Sequence, residues 1–163
     1  MTSWPVYISF TAMLVTVSLW YRWFLGPILA RLSAVSALQL LLAVHCLRFI
    51  SPISLVPGVT VPGLATAFTG PQVLGDAATA LFALVAIGTL RSGWRCATPW
   101  VWFTNLFGVL DLAVVAVQGV RFDFAAHVGA MFYIVVWLVP WLLISHMAIF
   151  AQLRRIHHTE SRV

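Results

Sequence analysis

A small set of polar and ionisable side chains stands inside otherwise apolar runs of this sequence: His45, Arg48, Asp76, Asn105, Asp111, His127 and His146. Placing such groups in a membrane is costly, so each is by default a candidate for function with a partner to be named. An Arg beside carboxylates can form ion pairs or meet an anionic or carbonyl group of a ligand. A neutral imidazole can donate one hydrogen bond, accept another, or ligate a metal. His45, Arg48, Asp76, Asn105 and Asp111 form the candidate ligand-binding set.

The elements that must position these residues follow from composition. The chain has 163 residues, 62% hydrophobic and 8% charged. A soluble domain carries about a quarter charged residues, so the expected solvent is lipid. Crossing a bilayer as a helix takes about 20 mostly apolar residues, which leaves room for four to six spans in one transmembrane domain over residues 1–163. The formal charge of +5 comes from nine Arg and no Lys. These Arg residues are spread along the chain rather than gathered in one basic patch, so nucleic acid is not an expected partner. Without Lys no Schiff base can form. Cys46 and Cys96 are placed at opposite ends of their spans, too far apart for a disulfide, which needs Cα atoms within about 7 Å.

The apolar runs predict a five-helix transmembrane bundle with spans of about 5–23, 27–50, 72–90, 98–119 and 127–151. The short hinge from Arg22 to Pro27 makes the first two spans an antiparallel hairpin. The opening Met1-Thr2-Ser3-Trp4 carries no basic residue and does not read as a cleavable signal peptide. With the hinge in the cytoplasm, Arg22, Arg31, Arg91, Arg95, Arg154, Arg155 and Arg162 lie inside, and only Arg48 and Arg121 lie outside. That asymmetry sets the N-terminus outside and the C-terminus inside a bacterial inner membrane. His157 and His158 sit in a basic tail that reads as an anchor beside anionic lipid.

Residues 51–71 hold Pro52, Pro57, Pro62 and Pro71 with Gly58, Gly63 and Gly70, yet no charge. The segment reads either as an irregular lid covered by protein, or as a greasy connector resting in the interface. The third span is rich in Ala and Gly, which marks it as central in the bundle.

At 1.5 Å per residue, His45 falls about 7 Å and Arg48 about 3 Å below the outer end of their span. Asp76 falls at about 6 Å and Asp111 at about 12 Å on the same scale. The expectation is a polar cluster in the outer leaflet beneath the lid. His146 is placed near the inner end of its span, away from that cluster. The cluster reads either as a small pocket or as the glue that binds three helices together.

The order His45-x-x-Arg48, Pro57-Gly58-Val59, Phe68, Gly75-Asp76, Asn105-x-x-Gly108-x-x-Asp111-Leu112 and Pro140 before His146 resembles a family of small bacterial inner-membrane proteins of unassigned function. The resemblance implies a stand-alone multi-span protein and supplies no substrate.

Three functions follow as expectations. The first is a non-catalytic membrane protein that binds a small amphipathic molecule for transport, for sensing or as an accessory to partner membrane subunits. There Arg48 would meet an anionic or carbonyl group. The second is electron transfer through a b-type haem held by His45 and His127, with Arg48 or Arg121 beside a propionate. The third is an intramembrane enzyme using His45 with Asp76 or Asp111 as an acid–base pair.

Overall fold

The computed structural model describes residues 4–64 and 66–160, with side chains to residue 157. Arg162, Met1, Thr2 and Ser3 lie outside the described residues, as does the side chain of His158. Every regular element among the described residues is helical. Five helices are long and apolar enough to cross a membrane: Trp4–Arg31, Ala34–Leu55, Thr66–Arg91, Ala97–Arg121 and Met131–His157.

The first of these passes straight through the expected hinge. It is built from α1 (Trp4–Trp20), a π-helical turn (Tyr21–Leu25) and α2 (Gly26–Arg31). Pro27 has no N–H to give to the carbonyl four residues earlier, which suggested a break. The wider turn, in which the Gly26 N–H reaches the Tyr21 carbonyl, lets the helix continue past it. The chain reverses instead at Leu32 and Ser33. Ser33 is extended, and its hydroxyl accepts from the Ser36 N–H at 3.1 Å, capping α3 (Ala34–Cys46).

The second span also outruns its expected end. Beyond Cys46 the backbone tightens into a 3₁₀ helix, Leu47–Leu55, with Pro52 inside it. With three residues per turn, positions three apart stack on one face. Arg48, Ser51 and Ser54 are therefore the buried side of this helix, and His45 continues the same row. α4 (Thr66–Arg91) begins before Pro71 rather than after it, so the irregular stretch shrinks to residues 56–64 of those described. α5 (Ala97–Arg121) is followed by a short α6 (Phe124–His127), then α7 (Met131–Glu160) with Pro140 in its interior.

The irregular stretch is fastened down. The Val61 N–H donates to the His127 carbonyl at 3.1 Å, and the Ala130 N–H donates to the Val59 carbonyl at 2.7 Å. Gly129 makes this possible. Its φ is +52°, and the Val59 carbonyl and Thr60 lie where a side chain would project.

Two apolar clusters hold opposite ends of the bundle. One joins Leu29 at the end of the first span to Leu38, Leu42, Ala86, Leu90, Val101, Ile149 and Leu153. The other joins Val6 to Val128 and Met131, with Ile53 and Val59 against them. The end of one span thus meets the start of the next, and direction alternates along the chain. Ala80, Ala83 and Ala86 are fully buried where α4 runs between α3 and α5, as its small residues predicted. Cys46 and Cys96 are both free thiols.

Candidate functional site

Between the two apolar clusters lies a layer of buried polar side chains. Its centre is Arg48, whose side chain is 1% exposed. Its Nε donates to Asp76 Oδ1 at 2.6 Å, its Nη2 to Asp111 Oδ2, and its Nη1 to the Gly108 carbonyl at 3.4 Å. The guanidinium thereby joins the 3₁₀ helix to both α4 and α5. Gln72, one turn before Asp76, donates to Asp76 Oδ2 at 2.7 Å, and Ser54 lies 3.2 Å from Gln72 Oε1.

Two glycines admit this geometry. The Asp111 carboxylate occupies the space where a side chain on Gly75 would stand. The His146 ring does the same at Gly108, with Cε1 only 2.6 Å and the Thr79 methyl 2.9 Å from an ideal Cβ.

Gly108 also joins the ion-pair triad to a pair of imidazoles. The His45 and His146 rings lie 4.0 Å apart between centroids and 38° between planes, and they are 1% and 2% exposed. Their hydrogen bonds fix both tautomers. Asn105 gives its amide N–H to the His146 carbonyl at 3.3 Å and turns its Oδ1 toward His146 Nδ1 at 2.7 Å. An amide oxygen only accepts, so His146 carries its proton on Nδ1. Ser145 gives its single hydroxyl proton to the Leu142 carbonyl at 2.9 Å. With that proton on the carbonyl, Ser145 accepts from His45 Nε2, 3.0 Å away, which places the His45 proton on Nε2. On this assignment His45 Nδ1 and His146 Nε2 are buried lone pairs that, like Ser51 Oγ, have no partner among the described residues. Leaving such a group unsatisfied costs about 1–3 kcal/mol.

The structure brings together His45, Arg48, Asp76, Asn105 and Asp111, but not at the expected depth. His45 lies about 20 Å and Arg48 about 14 Å from the far end of their span, allowing for the longer 3₁₀ rise. Asp76 and Asp111 each lie about 15 Å inside theirs. The layer is midway along the bundle, because the helices extend past Ile50 and begin before Gln72. His146 corrects the reading in the same way. With α7 starting at Met131 and running to Glu160, position 146 falls at mid-length and enters the layer.

His127 stands apart. Its Nδ1 lies 3.0 Å from the Asp123 carbonyl, and its Nε2 is 3.5 Å from the Cβ position of Gly63 at the fastened stretch. His127 thus lies against the fastened stretch, whereas His45 lies in the layer. Gln72, Ser145, Ser51 and Ser54 belong to the layer and were missed. A row of polar residues at every third position, His45-x-x-Arg48-x-x-Ser51-x-x-Ser54, was the signal for two of them.

A separate groove of about 470 Å³ is lined by Leu47, Ile50, Tyr133, Ile134, Trp137 and Leu138. Leu47 and Ile50 flank Arg48 in sequence but face the opposite way, each about half exposed.

The fold and the layer define a class: an all-helical bundle with five candidate membrane spans and a buried polar layer between its apolar ends. Residues 5–154 match the family described as Domain of unknown function (DUF8737), and the chain belongs to that family. No curated protein and no solved structure matches the chain significantly.

Proposed function

We propose that this chain is a non-catalytic, multi-pass protein of a bacterial inner membrane, forming one transmembrane domain. It binds a small amphipathic molecule whose polar end reaches the buried layer at mid-membrane. The binding serves transport, sensing or a partner membrane subunit. The observation that carries this reading is that, among the described residues, three buried polar atoms, His45 Nδ1, His146 Nε2 and Ser51 Oγ, have no hydrogen-bond partner. A layer that served only to clamp helices would gain stability by satisfying those atoms.

The geometry refines the ligand chemistry. The Arg48 guanidinium is committed to two carboxylates and a carbonyl, so an anionic head group would have to displace them. What the layer lacks is donors, because both bare imidazole nitrogens accept. The head group that fits is a hydroxyl or N–H, with its chain in the groove beside Trp137.

Orientation follows from the Arg distribution. Arg48 is buried and no longer counts among the outer residues. Arg31, Arg91, Arg95, Arg154 and Arg155 gather at one end of the alternating spans, against Arg121 at the other. The first end is cytoplasmic by the positive-inside rule, which sets the N-terminus outside and the C-terminus inside.

The haem b alternative rests on His45 and His127, of which His127 lies against the fastened stretch. The other imidazole near His45 is His146, with ring centroids 4.0 Å apart and planes tilted by 38°. For the acid–base alternative, the hydroxyl beside His45 is Ser145 Oγ, 3.0 Å from His45 Nε2 and 2.9 Å from the Leu142 carbonyl.

The test is tryptophan fluorescence in nanodiscs with a bromine-labelled long-chain alcohol and the matching fatty acid. Saturable quenching by the alcohol is expected, weaker by the acid, reduced in Trp137→Phe and blocked by the groove-filling Ile50→Phe. Non-saturable quenching, unchanged by Ile50→Phe, would sink the reading.

A further inference from the structure

The charges of the polar layer do not balance. Arg48 always carries one positive charge. Among the described residues, the ion pairs of Asp76 and Asp111 are both with Arg48, and the other contact of Asp76 is the neutral Gln72 amide. Two carboxylates and one guanidinium leave one negative charge uncompensated. Apolar clusters lie at both ends of the layer and the two carboxylates are only 13% and 11% exposed, an environment that disfavours an unbalanced charge.

Space decides what restores the balance. A methyl group does not fit at Gly75 or at Gly108 without striking Asp111 or His146. Acceptors for a very small cation are at hand, however. The bare nitrogen of His146 meets the triad at Gly108, whose carbonyl bonds Arg48 and whose side-chain position is taken by the His146 ring, and the His45 ring lies against that of His146.

We propose that the layer formed by Arg48, Asp76, Asp111, His45 and His146 binds one exchangeable proton in the middle of the bundle. The inference rests on reading the layer as a site rather than a clamp. The titratable and charged groups that face the proton come from five elements: His45 from α3, the fixed charge of Arg48 from the 3₁₀ helix, Asp76 from α4, Asp111 from α5 and His146 from α7. The proton resides on a carboxyl oxygen or on a bare imidazole nitrogen. Moving between them breaks one O–H bond and forms one N–H bond, turning a carboxyl into a carboxylate and an imidazole into an imidazolium. The total charge of the layer is unchanged by that step, although a neutral pair becomes an ion pair. A ligand that brings a hydroxyl to the same nitrogens would compete with the proton for them, which couples ligand binding to proton release.

The experiment uses the wild-type chain in nanodiscs at neutral pH without ligand, so its failure is separable from a failure of the alcohol to bind. Carbon-13 at the aspartate carboxyls and nitrogen-15 in the imidazoles report each group by infrared and NMR spectroscopy. Expected is one protonated group in the layer, either a carboxylic-acid band that shifts in D₂O or one imidazolium. Asp111→Asn should abolish it, because one carboxylate then faces one guanidinium. Asp76→Asn should abolish it for the same reason and stands in if Asp111→Asn does not fold. Both aspartates ionised with both histidines neutral would overturn the proposal. So would a saturable change in these signals on adding Na⁺ or K⁺ at fixed pH, which would make the occupant a metal cation.

Discussion

The imidazole of His146 fills the space that a side chain at position 108 would need: its Cε1 lies 2.6 Å from the ideal Cβ of Gly108. One backbone position on α5 thereby sets how deeply α7 enters the layer. The same residue offers its carbonyl to Arg48 at 3.4 Å, so α5, α7 and the 3₁₀ helix share a single fixed point.

Gly108→Ala is therefore expected to destabilise the protein by about 1–3 kcal/mol, the range for overpacking a well-filled interior. Adding His146→Ala should recover part of that loss, a coupling that independent sites would not show. Thermal unfolding of the two single variants and the double variant in detergent checks it.

Gly75 and Gly70 sit on the same helix and should respond in opposite directions. At Gly75 an added methyl strikes the Asp111 carboxylate, whereas at Gly70 nothing lies within 4 Å. Gly75→Ala should lower the melting temperature by pushing Asp111 off Arg48. Gly70→Ala should leave it unchanged or raise stability by about 0.5–1 kcal/mol through helix propensity.

How far the sequence led can be argued from these same residues. The helix count, the central place of the Ala-rich α4 and the grouping of Arg48 with Asp76 and Asp111 were all legible, because hydropathy and the cost of buried charge act locally. Depth was not. It depended on whether Pro27, Pro52 and Pro71 end their helices, and each is absorbed differently: by a π turn, by a 3₁₀ helix, and by a place near a helix start. Those errors of a few residues moved the layer by about a third of a span and left His146 out of it. The pairing of His45 with His146 was beyond reach for another reason. It joins residues 101 positions apart, and only the crossing of α3 and α7 brings them together.

The fastened stretch makes its own prediction. Gly129 combines a left-handed backbone with the Val59 carbonyl in the path of any side chain. Gly129→Ala should cost about 1–2 kcal/mol from the backbone conformation alone, and it should release the bonds from Val61 and Ala130. Limited proteolysis should then cut within residues 56–64 faster than in the wild type, while the five spans stay protected.

The most direct test of the central claim replaces the whole triad with apolar side chains of similar size: Arg48→Met, Asp76→Leu and Asp111→Leu together. Removing one partner of a buried ion pair costs about 3–5 kcal/mol, yet replacing all partners together is often neutral or stabilising. The account predicts that Arg48→Met alone melts early, whereas the triple variant folds with near wild-type stability; replacing the two acceptors in that background, His45→Leu with His146→Leu, should abolish saturable quenching by the bromine-labelled alcohol. A variant without both imidazoles that folds and still binds the alcohol with wild-type affinity would contradict the account, and would reduce the layer to a clamp between helices.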